Sequence, residues 1–170
     1  MLNSLRYATA DDAERLHQLI VDLAIFEKEP DAVELSVEQL KEQLSDSRSV
    51  FKAIVAECID ESSHSKASLI IVGFALFFYN YSTWKGKKGL YLEDLFVLEQ
   101  FRGKGIGKAL MYRLATIAKE EDCARFEWSV LKWNQSAISF YEHLDAVRMD
   151  DWVGYRLDEN GILKFLNTCF

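Results

Sequence analysis

Residues Phe101–Leu110, FRGKGIGKAL, place three glycines and three cationic side chains within ten positions. The segment follows the apolar run Leu90–Leu98 and precedes Leu110, Leu114 and Ile117, which recur on one helix face. A chain that passes from strand to helix through such a loop exposes backbone N–H groups at the helix N-terminus, where the helix dipole and the unpaired donors favour an anion. A nucleotide-binding loop of the Walker type needs G-x-x-x-x-G-K-[ST], but Ala109 follows Gly107-Lys108 and Arg102 stands where the first glycine belongs. A dinucleotide fingerprint needs a third glycine where Lys108 stands, and a βαβ unit where this chain has a β-hairpin. What remains is R-x-x-G-x-G: Arg102, Gly105 and Gly107, with Lys104 and Lys108 adding positive charge.

The remaining pattern surrounds this loop with alternating elements. Thr9 and Asp12 read as a capping box ahead of Ala13, Leu16, Leu19, Ile20 and Leu23 at helical spacing, and Ser36 with Gln39 reads as a second box opening a short helix to about Leu44. Val50–Glu57 predicts a strand, followed by the polar loop CIDESSHSK. Leu69–Tyr81 predicts a long strand whose continuous apolar character places it centrally. STWKGKKG reads as a turn, and Leu90–Leu98 as the next strand. After the loop come a helix to about Glu120, a strand over Arg125–Leu131, a helix over Gln135–Leu144, and a terminal strand pair at Val147–Met149 and Val153–Leu157. The order β-α-α-β-β-β-α-β-α-β-β predicts an α/β (α+β) sheet covered by helices. One domain over residues 1–170 is expected, because a single proline and eight glycines leave no room for a flexible linker.

A formal net charge of −7 disfavours nucleic acid and suits a cationic small molecule or protein. No segment approaches the roughly 18 apolar residues of a membrane span, and the N-terminus MLNSLRYATADD lacks the pattern of a signal peptide. A cytoplasmic protein without membrane partners is expected. The cysteines Cys58, Cys123 and Cys169 are odd in number and lack metal-type spacing, so no disulfide framework and no metal site is implied.

Glu93-Asp94-Leu95-Phe96-Val97 followed by Arg102-Gly103-Lys104-Gly105-Ile106-Gly107 resembles the acetyl-CoA-binding motif of the GNAT acetyltransferase superfamily. LAIFEK, YSTWKGK, YLED, VLKWNQ and AISFYEHL follow one another in the order of the diamine and thialysine acetyltransferases, over nearly the full length. The resemblance implies the GNAT acyl-CoA N-acyltransferase fold, a mixed central sheet of about six to seven strands flanked by helices. It implies a homodimer, and acetyl-CoA as co-substrate with its pyrophosphate on the loop from Arg102 to Lys108. It further implies that the strand Leu95-Phe96-Val97 splays from its neighbour and binds the pantetheine arm, with a backbone N–H as oxyanion donor. Asn134 stands where the family contacts the cofactor; read by itself it is equally a helix N-cap.

Transfer to an amine needs a deprotonated nucleophile, since an ammonium of pKa near 10 cannot attack. Glu93 and Asp94 supply carboxylates on opposite faces of a strand. An acidic pair is ordinarily solvated, but an otherwise apolar strand feeding this loop favours a role, and the resemblance assigns proton acceptance to Glu93. Tyr141 matches the tyrosine that the family places beside the departing sulfur as hydrogen-bond donor or general acid; on the helix alone it is a half-buried aromatic. Phe26 and Trp84 are candidate walls for an aliphatic substrate, and Glu27 a holder for a distant cationic end. Cys58 and Cys123 read as core residues. Ser82-Thr83 before Trp84 resembles the thialysine-type members, so a thialysine- or lysine-like amino acid is the expected substrate. A diamine or polyamine is the alternative, and a non-catalytic acetyl-CoA-binding regulatory module is the rival from another class. Asp145 replaces a glycine common in the family, and the turn before YLED reads as longer, at Lys87-Lys88-Gly89.

Overall fold

The apolar runs become five paired strands in the computed structural model, which describes residues 1–60 and 68–168. Most of the loop CIDESSHSK, and Cys169, lie outside the described residues. The strands are β1 (Leu2–Tyr7), β2 (Lys52–Ile59), β3 (Leu69–Ser82), β4 (Lys87–Val97) and β5 (Phe126–Trp128), adjacent in that order. Each pairs antiparallel with the next, except that β4 and β5 are parallel. The helices are α1 (Ala13–Phe26), α2 (Val37–Ser45), α3 (Ile106–Glu120), α4 (Gln135–Glu142) and α5 (Glu159–Thr168). Contacts divide the chain into two compact units: Met1–Ser129 with the sheet and α1–α3, and Val130–Phe170 with α4 and α5.

In the first unit the sheet is covered on both faces, so Ala53–Cys58 of β2 is buried without interruption. Leu16 and Leu19 of α1 and Leu40 of α2 meet Val55, Phe74 and Phe96 in one cluster. α3 packs on β4 and β3 and buries Ile106, Leu110, Leu114 and Ile117. The second predicted capping box is complete: the Gln39 N–H donates to Ser36 Oγ at 3.2 Å and the Ser36 N–H to Gln39 Oε1 at 2.9 Å. At the first, the Asp12 carboxylate accepts from the Thr9 N–H at 2.8 Å and from both Arg6 Nη atoms at 2.7 and 2.8 Å. Arg6 also donates through Nε to Glu57 at 3.0 Å. The buried acids Asp12 and Glu57 thus share one guanidinium, which pulls the Asp12 pKa down to about 2.

The structure departs from the sequence reading at four places. The turn expected through Gly89 is confined to 83–86, where Gly86 adopts φ 61° and its N–H donates to Ser82 O at 2.8 Å. Lys87-Lys88-Gly89 therefore belongs to β4, and Gly89 is needed for close packing: a Cβ there would stand 2.4 Å from Asn80 Oδ1 and 2.7 Å from Arg125 Cγ. The strand expected over Arg125–Leu131 pairs only at Phe126–Trp128. The expected terminal strand pair does not form, so the described sheet has five strands rather than six or seven. Val147, Val153 and Tyr155 are 83%, 75% and 94% exposed. Alternation fixes which face a side chain takes, but a strand also requires a neighbour's N–H and C=O groups. The helix α5 went unread although Asp158 marks its start, accepting from the Gly161 N–H at 2.6 Å.

Three helices end on a non-glycine residue in the left-handed region: Lys28 at φ 68°, Asp122 at φ 52° and Asp145 at φ 60°. Each closes with the paired bonds of a Schellman motif; after α4, the Ala146 N–H donates to Tyr141 O at 3.3 Å and the Asp145 N–H to Glu142 O at 3.1 Å. The steric cost of that conformation falls on Cβ, and Asp bears it better than most residues. Asp145→Gly is expected to stabilise the protein by about 0.5–1 kcal/mol. Thermal unfolding checks this: the midpoint rises by a few degrees, and an unchanged or lowered midpoint would show that Asp145 carries no strain.

Candidate active site

The site begins with β4. Along β3 its pairing runs from Lys87 to Val97, but the register skips at Glu93: Leu76 faces Asp94 while Phe77 faces Leu92. Glu93 is the extra residue of a β-bulge, which bends and twists a strand locally. On the other side β4 pairs with β5 only from Leu90 to Leu92. From Glu93 to Val97 that edge makes no ladder among the described residues, so the backbone groups at Leu95-Phe96-Val97 have no strand partner on that side.

At the carboxyl end of β4 the chain makes a short turn and enters α3. Gly103 and Gly105 adopt φ 72° and 80°, and a Cβ built on either meets nothing within 4 Å. The first helical N–H with a partner is that of Ala109, on Gly105 O at 2.9 Å. The N–H groups of Ile106, Gly107 and Lys108 precede it and have no intrahelical acceptor. The left-handed glycines thus leave open space before a row of donors, the arrangement that binds a phosphate-type anion. Lys104 Nζ lies 5.0 Å from the Phe101 ring. The Arg102 side chain turns inward: Nε donates to Val97 O at 2.9 Å, and the guanidinium carbon stands 4.6 Å from the Phe26 ring centre and 5.5 Å from that of Phe96.

The bulge also distributes the acids. Glu93 is exposed, whereas Asp94 is half-buried, two residues from Phe96 and opposite Leu76, which belong to the α1 face of the core. Half-buried Phe26 ends α1 on this face, and Glu27 caps it. No cation and no hydrogen-bond donor reaches Asp94, Glu93 or Glu27 among the described residues. Burial, then the charges of Glu93 and Glu27, push the Asp94 pKa up to about 6; burial raises that of Glu27 as well.

Ser82, Thr83 and Trp84 lie elsewhere. They form the tip of the β3–β4 hairpin, where Trp84 is 90% exposed. The stretch of β4 from Lys87, which pairs with Ser82, to Asp94 is on the order of 20 Å long. Asn134 and Tyr141 belong to the second unit. Asn134 caps α4, its Oδ1 accepting from the Ala137 N–H at 3.1 Å. Tyr141 is half-buried, 5.3 Å from the Phe140 ring, and its carbonyl is held by the Schellman bonds. Cys58 is buried, and burial raises the Cys123 thiol pKa, so neither is an activated nucleophile. What sequence reasoning missed is the inward course of Arg102 and the unequal environments of Glu93 and Asp94. The aromatic residues Phe26 and Phe96 were the available signal for the first, but only the bulge creates the second.

The Asp94 shift has a sign that can be tested. Its folded pKa of about 6 lies above the ordinary carboxylate value, so its contribution to stability is full below pH about 4 and is lost as pH rises through about 6. Asp94→Asn removes that loss. The variant is expected to gain about 1–3 kcal/mol over the native chain between pH 4 and pH 7, read from urea midpoints at the two pH values. A difference that does not change with pH would mean that Asp94 titrates normally.

The model of the acetyltransferase (GNAT) family matches residues 13–146. The thialysine N-ε-acetyltransferase of Mus musculus is 34% identical over 157 residues, covering 91% of each chain. The spermidine/spermine N(1)-acetyltransferase-like protein 1 of Homo sapiens is 33% identical over 90% of this chain and 22% of its own length. Among solved structures, an integron cassette protein from the mobile metagenome of V. cholerae superposes with a TM-score of 0.75 at 28% identity, covering 97% of this chain and 98% of the other. With the half-paired β4, the glycine loop at the N-terminus of α3 and a family match across most of its length, this chain belongs to the GNAT family of acetyltransferases.

Proposed function

We propose that the protein is an acetyl-CoA-dependent N-acetyltransferase acting on the primary amine of a small cationic substrate, first a thialysine- or lysine-like amino acid. The observation that carries this reading is the adjacency, in one unit, of a β4 edge unpaired among the described residues, an open glycine loop at a helix N-terminus and an acidic group without a counter-ion among those residues. Acetyl-CoA, when bound, supplies an acetyl thioester activated for transfer. The loop fits its diphosphate: Gly103 and Gly105 leave open space, the N–H groups of Ile106, Gly107 and Lys108 are available donors, and Lys104 and Lys108 add charge. The edge at Leu95, Phe96 and Val97 fits an extended amide-bearing arm by strand-like pairing, with a backbone N–H to polarise the acetyl carbonyl.

The remaining roles belong to side chains. Asp94 and Glu27 attract the ammonium group, and Glu93 accepts its proton through water. The Tyr141 hydroxyl holds a proton for the departing sulfur, and Asn134 contacts the cofactor through the α4 cap. Both units act as one domain, within a cytoplasmic homodimer. In a single protomer the hairpin tip stands on the order of 20 Å from Asp94. Ser82, Thr83 and Trp84 therefore serve the site of a second copy. The relatives named for thialysine and for spermidine/spermine support an amine substrate of this class.

A thiol-release assay with acetyl-CoA tests the reading against thialysine, lysine, diamines and polyamines. Turnover is expected to be highest with thialysine, and Gly105→Asp, folded but with a carboxylate in the diphosphate's space, is expected to lose calorimetric acetyl-CoA binding and turnover together. Turnover on no amine would overturn the enzymatic assignment; unchanged affinity in Gly105→Asp would overturn that of the loop.

Glu93→Gln separates binding from chemistry. If Glu93 takes the proton, kcat falls at neutral pH by about 10²-fold or more and recovers in part as pH rises and the amine arrives deprotonated. A raised amine KM with a pH profile parallel to the native one would reduce Glu93 to charge attraction. Mixing Glu93→Gln with Trp84→Ala tests the shared site as well. Reassortment into a dimer with one intact site restores activity, and a mixture no better than its parts denies the hairpin that role.

A further inference from the structure

Arg102 stands at the first position of the loop motif, where a cationic residue is ordinarily read as a phosphate ligand, yet its side chain spends its contacts elsewhere. Nε donates to the carbonyl of Val97, the last residue of β4, at 2.9 Å. Its guanidinium lies against Phe26 at the end of α1 and against Phe96 of β4, at 4.6 and 5.5 Å. One planar group therefore touches the amine-facing wall, the strand edge and the entry to the loop. Backbone bonds hold the turn itself, from the Phe101 N–H to Leu98 O at 2.8 Å and from the Arg102 N–H to Glu99 O at 3.0 Å. Beyond Arg102 come the left-handed Gly103 and Gly105, and beyond Phe26 come Glu27 and the left-handed Lys28. Both segments are helix-terminal, where backbone order is weakest. Arg102 joins them at their last well-held residues.

We propose that Arg102 is a positioning residue that pins the end of α1 to the start of the α3 loop, so that the wall at Phe26–Glu27 and the anion-binding loop hold their geometry together. The inference rests on the acetyl-transfer reading for its consequence and on the contacts alone for its mechanism. Arginine is required because a planar fork can stack on two rings while an edge N–H donates to a carbonyl. A lysine ammonium offers the charge without the plane. A phosphate ligand would act on the cofactor alone; a clamp acts on both substrates.

Arg102→Lys and Arg102→Met distinguish the two. For a clamp, both variants behave alike: calorimetric acetyl-CoA affinity drops about tenfold and the amine KM rises at least threefold, while Lys104→Met weakens acetyl-CoA and leaves the amine KM unchanged. A near-native Arg102→Lys, with only the acetyl-CoA constant moved in Arg102→Met, makes Arg102 a charge on the diphosphate and overturns the clamp. A ligand-free readout keeps this separate from the functional reading. In urea unfolding, Phe26→Leu, Arg102→Met and their combination form a double-mutant cycle. The double variant is expected to shift the midpoint by clearly less than the sum of the single shifts. Strict additivity overturns the clamp whether or not the native chain releases thiol; absence of thiol release with intact coupling overturns only the function.

Discussion

β4 is paired along its whole length on one side and over three residues, Leu90–Leu92, on the other. That inequality organises the candidate site. A strand in the middle of a sheet normally spends its N–H and C=O groups on two neighbours; here a five-residue stretch has one row of them outside any ladder among the described residues. The bulge at Glu93 falls where the pairing with β5 ends. The connection between these parallel strands must be a crossover, and it is α3, so its N-terminus necessarily opens at the carboxyl end of β4 beside the unpaired edge. Strand edge and helix terminus present unsatisfied backbone groups to the same region for related topological reasons.

The first unit treats its acids in two opposite ways. Asp12 and Glu57 are buried and satisfied: Arg6 donates to both, and the Asp12 pKa falls to about 2. Among the described residues Asp94 is half-buried without a donor or a counter-ion, beside Glu93 and Glu27, and its pKa rises to about 6. Burial raises both groups, and the difference is that Arg6 offsets it at Asp12 while nothing offsets it at Asp94 among the described residues. Arg6 is aimed at the acids of β2 and α1, whereas Arg102, which approaches the face of Asp94, spends its contacts on two rings and a carbonyl. The outcome is a half-buried carboxylate whose titration is lifted to about 6 and whose charge no neighbouring cation offsets among the described residues.

Much of this was legible in the sequence because it rests on local chemistry. Capping residues, apolar periodicity and the glycine spacing located α1–α4 and β2–β4 close to their observed bounds, and the motif after Leu98 placed a glycine loop at a helix N-terminus. What was not legible depends on partners. Alternation at Val147–Met149 and Val153–Leu157 has the period of strands, but no ladder receives those residues. Asp158 begins a helix that a glycine at its third position disguised. Glu93 and Asp94 were assigned opposite faces by regular pleat, yet the sequence contains no sign that a bulge at Glu93 interrupts that alternation. Arg102 was read by its charge, although its position over Phe26 and Phe96 is set by packing.

These observations also bear on why the chain is better read as a working enzyme than as a cofactor-binding module with the fold of one. A module that only held acetyl-CoA would need the loop and the open edge of β4. It would have no use for a half-buried carboxylate without a counter-ion, which lowers stability at neutral pH and which a single change to asparagine would relieve. Destabilising features persist where the surrounding structure over-determines them and function requires them. Asp94 is held in place by its pairing with Leu76, its neighbour Phe96 in the core and the adjacent bulge. The unrelieved charge lies on the α1 face beside Phe26 and Glu27, where the amine is expected, and away from the diphosphate loop, where an acid would repel the cofactor. A site that takes an amine as second substrate would have a use for such a charge, and a module that holds a cofactor alone would have none.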